Sequence, residues 1–131
     1  MASIRNEIAL HAPPDRVWDA LRDFGNVHTR VAPGFLTDSK LDSADVRVVT
    51  FANGAVARET LICSDDPQRR LVYAIMDRRF KHYSASVQVS PETDGSRLVW
   101  IIDLLPNDFA GYVTQMTEHA VAAMKKTLDT A

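Results

Sequence analysis

Between Phe35 and Leu105 the chain reads as strand-like segments whose connections are too short to cross a sheet. The segments are Phe35–Leu41, Val46–Phe51, Ala55–Cys63, Arg70–Met76, Tyr83–Val89 and Leu98–Leu105. A parallel crossover takes about a dozen residues or more, so short connections favour antiparallel neighbours. Asn53-Gly54 is a two-residue hairpin signal between the second and third of these segments. Ser64-Asp65-Asp66-Pro67 and Asp94-Gly95 mark further turns. Ahead of the block, Ile4–Leu10 alternates Ile4, Ile8 and Leu10 against Arg5 and Glu7, which makes a first strand. Pro13-Pro14-Asp15 then opens a helix with Val17, Trp18, Leu21 and Phe24 at helical spacing, ending near Gly25. Asn26–Ala32 forms a second short helix before Pro33-Gly34. After the last strand, Asn107 or Asp108 caps a long helix. Phe109, Val113, Met116, Ala120, Met124 and Leu128 form its apolar stripe.

This order defines an α+β fold: a curved antiparallel sheet of six to seven strands wrapped around a long C-terminal helix, with two short helices after strand 1. The 131 residues suit a single domain, 1–131. A chain of this length buries roughly two-thirds of its unfolded surface. The space between sheet and helix is either a filled core or a cavity, and the pattern leaves both open.

Charge and composition exclude several function classes. The formal net charge of −2 gives no general attraction to nucleic acid or anionic lipid. The single cysteine, Cys63, makes no internal disulfide and has no evident activating partner, so it reads as a structural thiol in a reducing compartment. The N-terminus carries charges where a signal peptide needs an apolar core, and no stretch approaches a membrane span. The expected location is the cytoplasm. His11, His28, His82 and His119 lack metal-ligand spacing, and there is no phosphate-cradling loop, so neither metal nor cofactor is expected.

One acid breaks the apolar pattern. In V-A-R-E-T-L-I, Glu59 shares a strand face with Ala57, Leu61 and Cys63, opposite Val56, Arg58, Thr60 and Ile62. A carboxylate on that face needs partners. Either it enters a cavity and meets a ligand or water, or it lies near an open end of the sheet or pairs with Arg58, Arg79 or Lys81. Tyr83 heads a clean apolar face, and Tyr73 and Trp100 lie on others, each as core or as pocket wall. Arg78, Arg79, Lys81 and His82 make either a solvated basic loop or a rim that recruits an anionic group.

The chain resembles the helix-grip superfamily of START-like and birch-pollen-allergen-like proteins (SRPBCC), in its polyketide cyclase/dehydrase branch. The phrases that carry the resemblance are I-A-L-H-A-P-P-D-R-V-W-D-A-L, R-E-T-L-I-C-S-D-D-P-Q-R-R-L-V-Y-A-I and L-V-W-I-I-D-L-L-P. It implies an apolar cavity between sheet and C-terminal helix, with Phe109, Val113 and Met116 as its lid and His28 near its mouth. A more local likeness is to plant abscisic acid receptors. Asp77–Tyr83 resembles their latch loop, with Arg79 as the latch arginine, and Phe51–Ala55 falls at their gate. Glu59 and Tyr83 match polar pocket residues there. The gate sequence differs, and Thr37 stands where those receptors carry a lysine that pairs with the hormone's carboxylate. What carries over is a pocket with a mobile rim, without the hormone or a phosphatase partner.

Three functions are therefore in view. The first is binding or carrying a hydrophobic small molecule of lipid, polyketide or aromatic type, with Glu59, Tyr83 and Arg79 fixing its orientation. The second is a cyclase or dehydratase using Glu59, Tyr83 or His28 as acid and base. The third is a ligand-free module that homodimerises through Val99 and Ile101, the second apolar face of the last strand.

Overall fold

A computed structural model describes residues 1–129. Strand β1 (Ala2–Leu10) leads into helix α1 (Pro14–Arg22), a 3-10 turn at Phe24–Asn26 and helix α2 (Val27–Arg30). Strands β2 (Leu36–Ser43), β3 (Val46–Phe51), β4 (Val56–Asp65), β5 (Arg70–Ile75), β6 (His82–Glu92) and β7 (Gly95–Leu105) follow. A 3-10 turn at Asn107–Phe109 then opens helix α3 (Ala110–Asp129). The seven strands form one curved antiparallel sheet in the order β1-β7-β6-β5-β4-β3-β2. Each strand from β2 to β7 pairs with its sequence neighbour, as the short connections require. The first strand closes onto the last.

The alternation read from sequence sorts the two faces of the sheet. On β7, Ser96, Leu98, Trp100, Ile102 and Leu104 are buried, while Arg97, Val99, Ile101 and Asp103 are only partly covered. On β4, Ala57 and Glu59 are buried and Val56, Arg58 and Ile62 exposed. Helix α3 turns Val113, Thr117, Ala120, Met124 and Leu128 toward the sheet. Thr117 takes a place the apolar stripe did not include. Its hydroxyl donates to the Thr114 carbonyl at 2.9 Å, which satisfies it within the helix. Met116, one position earlier, is only half-buried. Neither Asn107 nor Asp108 caps this segment. Pro106 occupies the cap position of the 3-10 turn, with no side-chain capping bond.

Two hairpin turns carry specific backbone geometry. The β3–β4 turn has three residues, Ala52-Asn53-Gly54, rather than two. The Phe51 N–H donates to the Ala55 carbonyl at 2.8 Å and the Gly54 N–H to the Phe51 carbonyl at 2.9 Å. Gly54 takes φ +89°, and Asn53 Oδ1 accepts the Ala55 N–H at 3.0 Å. The second is at Gly95, where β7 begins. Its φ is +151°, and a Cβ there would lie 2.0 Å from the Leu10 carbonyl oxygen. The end of β1 thus passes directly over a position that has room only for glycine.

The two ends of α3 are held differently. Near the C-terminus, Lys125 Nζ donates to the Ala9 carbonyl at 2.7 Å and pairs with Asp129 at 3.2 Å. Asp129 Oδ1 also accepts the His11 N–H at 2.9 Å. This end is tied to the last turn of β1. At the other end, Phe109 meets the sheet side through the Phe80 ring, at 5.0 Å between centroids.

Candidate functional site

A cavity of about 130 Å³ lies between the concave face of the sheet and α3. That is far more than the roughly 15 Å³ that admits one water. Its walls are mostly apolar. Leu21 and Val27 come from the short helices and Val31 from just after α2, Ala57, Leu71, Ile75 and Val87 from the sheet, and Val113, Met116, Ala120 and Met124 from α3. Of the residues singled out from sequence, Glu59, Tyr83, Tyr73, Trp100, Phe51, Arg79, Phe109, Val113 and Met116 all line it. His28 does not. It is half-buried on the four-residue α2, and its Nδ1 is buried without a hydrogen-bond partner.

Glu59 points into the cavity, and its partner is Arg47, which the sequence reading missed. Arg47 Nε donates to Glu59 Oε1 at 2.7 Å, with both side chains less than a tenth exposed. Arg47 also donates to the Phe24 carbonyl at 3.1 Å. Its guanidinium lies 4.0 Å from the Phe24 ring centroid and 5.1 Å from that of Tyr73. The two residues are directly opposite in the β3–β4 register. None of the expected partners reaches Glu59. Arg58 lies on the outer face and pairs with Asp42 at 2.6 Å. Arg79 pairs with Asp77 at 2.8 Å, and Lys81 is exposed. Glu59 Oε2 makes no protein hydrogen bond among the described residues, so the carboxylate keeps one oxygen for the cavity.

Two phenols and an indole complete the polar cluster. Burial, reinforced by the Glu59 charge, holds the Tyr73 phenol well above its usual value of 10. Burial also raises Tyr83, with Tyr73 and Glu59 adding to the effect. The Trp100 N–H lies beside the Tyr73 hydroxyl and favours its ionised form, yet it is buried without a hydrogen bond of normal geometry. Arg47, Glu59, Tyr73, Tyr83 and Trp100 come one each from β3 through β7. The raised phenols make a prediction for alkaline pH. Below 10 the phenol keeps its proton whether the chain is folded or not. Above 10 the unfolded phenol ionises first, so the unfolded state gains and stability falls as pH rises. Urea denaturation of wild type and Tyr73→Phe from neutral to alkaline pH checks this. The variant is expected to lose stability less steeply, and equal slopes would count against a buried Tyr73 phenol.

The mouth is aromatic. Phe80 packs edge-on against Tyr83 at 5.0 Å and with tilted rings against Phe109 at 5.0 Å, and Phe35 meets Phe51 edge-on at 5.6 Å. Phe80 is a second residue missed from sequence, being the lone aromatic in a loop read as basic and polar. An adjoining groove, bounded by Pro33, Asn53 and His119, shares Phe35, Phe51 and Met116 with the cavity, so these three form a thin wall between the two. Thr37 lies off the cavity, its hydroxyl donating to the Thr50 carbonyl at 3.4 Å.

A curved antiparallel sheet gripping a long helix over an apolar cavity defines a helix-grip protein, a fold of the hydrophobic-ligand-binding kind. The chain belongs to the polyketide cyclase/dehydrase and lipid transport family, whose pattern matches residues 1–130. Among solved structures it is similar to protein XoxI from Bacillus cereus, with a TM-score of 0.86 at 20% identity over 99% of this chain and 98% of that one. It is similar to Ara h 8.0201, with a TM-score of 0.76 at 14% identity over 99% of both chains. It is also similar to a START superfamily protein from Mycobacterium smegmatis, with a TM-score of 0.75 at 9% identity over 98% of this chain and 94% of that one. At such identities these likenesses establish the fold. No curated protein matches the sequence. Among the described residues, no helix is long and apolar enough to cross a membrane, and no group of three or more His, Cys, Asp or Glu side chains is placed to hold a metal.

Proposed function

We propose that the protein binds and carries a small hydrophobic molecule, of lipid, polyketide or aromatic type, in the cavity between sheet and α3, and does so in the cytoplasm. The observation that carries this reading is an apolar-walled space into which a few polar groups converge. The walls would supply affinity at roughly 25 cal/mol per Å² of apolar surface removed from water. The polar cluster would set orientation. Cyclase or dehydratase chemistry is less well supported. It needs a group that exchanges protons near neutral pH. Here both phenols are held protonated by burial, Glu59 shares its carboxylate with Arg47, and His28 lies off the cavity. Dimerisation through Val99 and Ile101 would rest on a narrow strip, framed in the register by Arg5 and Glu7 on one side and Ser86 and Gln88 on the other.

The test fills the space. Ala120 is 1% exposed and lines the cavity wall. Ala120→Phe is expected to abolish binding of a polarity-sensitive fluorescent probe while leaving far-ultraviolet circular dichroism unchanged. Native mass spectrometry of protein purified from its own host should show a bound small molecule in wild type and none in the variant. Probe binding undiminished in a folded variant would place the ligand elsewhere and sink the carrier reading.

A further inference from the structure

The polar cluster selects among ligands by charge, an inference that rests on the carrier reading above. Two cationic side chains line the cavity, and each already has a carboxylate of this chain. Arg47 is paired with Glu59 at 2.7 Å inside, and Arg79 with Asp77 at 2.8 Å at the mouth. The interior therefore offers no unpaired positive charge to an anionic head. A ligand carboxylate would have to take Arg47 from Glu59, which strands a buried acid, or lie beside Glu59 unpaired. Both are costly in a mostly apolar space. An ammonium head could reach Glu59 Oε2, but only by lying beside the Arg47 guanidinium, two cations sharing one buried carboxylate.

A bare hydrocarbon is not the best fit either. It would cover Glu59 Oε2, an acceptor, and the hydroxyls of Tyr73 and Tyr83 where they meet the cavity, and leave them unpaired. The groups around them are linked. Arg47 holds Glu59 at 2.7 Å and its guanidinium lies 5.1 Å from the Tyr73 ring centroid, and Glu59, Tyr73 and Tyr83 all line the cavity. These contacts place an acceptor and several donors within one small region of the wall. A hydroxyl satisfies such a set. Its O–H donates to Glu59 Oε2, and its oxygen accepts from the Tyr73 or Tyr83 O–H. We infer that the cavity takes an uncharged apolar molecule bearing a hydroxyl or phenol at one end, read by Glu59 and the Tyr73 and Tyr83 hydroxyls, and discriminates against carboxylates of the same shape.

Three probes of one skeleton test this by equilibrium dialysis near neutral pH: naphthalene, 2-naphthol and 2-naphthoate. Wild type should bind 2-naphthol about tenfold more tightly than 2-naphthoate, and several-fold more tightly than naphthalene. Glu59→Gln keeps an amide oxygen for Arg47 but leaves the guanidinium charge uncancelled. It should shift the preference about tenfold toward 2-naphthoate. Tyr73→Phe leaves the ion pair intact and should weaken 2-naphthol several-fold while leaving naphthalene unchanged, which provides a second reading should Glu59→Gln fold poorly. If wild type binds 2-naphthoate as tightly as 2-naphthol, or 2-naphthol no better than naphthalene, the inference is overturned and the carrier reading stands. If wild type binds none of the three, the carrier reading falls with it.

Discussion

Arg47→Met is expected to lower the free energy of unfolding by about 3 kcal/mol, read from urea denaturation. The loss comes less from the missing attraction than from what remains. Glu59 is 6% exposed and would be left as a buried carboxylate with no cation beside it. The Phe24 carbonyl would lose its donor as well. Adding Glu59→Leu to Arg47→Met removes the stranded charge and should recover most of the lost stability, because paired apolar replacements of a buried ion pair are often neutral or better. A double variant no more stable than Arg47→Met alone would mean that packing by Arg47 against Phe24 and Tyr73 matters more than charge. The double variant also separates stability from recognition. It should fold, yet no longer prefer a hydroxyl over a plain hydrocarbon.

Gly95→Ala should cost about 3 kcal/mol or more, although it adds one methyl group at a turn. Two effects combine. The backbone takes φ +151°, which side-chain-bearing residues rarely adopt, and the new Cβ would meet the Leu10 carbonyl oxygen at 2.0 Å. The clash is with backbone, so relief requires β1 to lift from the start of β7 or the turn to rebuild. Gly54→Ala is the control. Gly54 also has a positive φ, +89°, but nothing lies within 4 Å of the position its Cβ would take, so the cost there should be about 1 kcal/mol. Thermal melts of the two variants compare them directly, and a Gly95→Ala protein as stable as Gly54→Ala would refute the close approach of β1.

The fold was legible because its main signals are local. Alternation in Tyr83–Val89 and Leu98–Leu105, the turn at Asp94-Gly95 and the stripe from Val113 to Leu128 each state their own conformation. Short connections then leave little choice of pairing. The same alternation correctly placed Glu59 on the inner face of β4. It would have placed Arg47 there too, since Arg47 shares its parity with Val49 and Phe51 on β3.

What hid the partnership was register. A two-residue turn at Asn53-Gly54 puts Glu59 opposite Val48, on the wrong face to meet Arg47. The actual three-residue turn shifts β3 by one position and sets Arg47 and Glu59 side by side. A turn's length is decided by φ at single residues, which pattern reading resolves poorly. Arg79 turned to Asp77, only two residues away, because a loop can fold a side chain back on itself in ways no periodicity encodes. The place of His28 was equally hidden, since α2 is a single turn with no repeat to read. The cavity itself is a difference between the space enclosed and the side chains that fill it, and no stretch of sequence states that difference.

The unequal fastening of α3 has a mechanical consequence. The helix is riveted to β1 at Asp129 and Lys125, while its other end rests on aromatic contacts at Phe109. From Asp129 to Tyr112 is about 25 Å of helix, so a tilt of about 5° about the fixed end moves the free end by about 2 Å. Such a tilt would make α3 a lever with its fulcrum at the Asp129 end. All five members of the polar cluster belong to the sheet, and none rides on the lever. On the carrier reading, movement at this end would widen the entrance while the five polar groups stay in register, which would separate how fast a molecule exchanges from how selectively it is held.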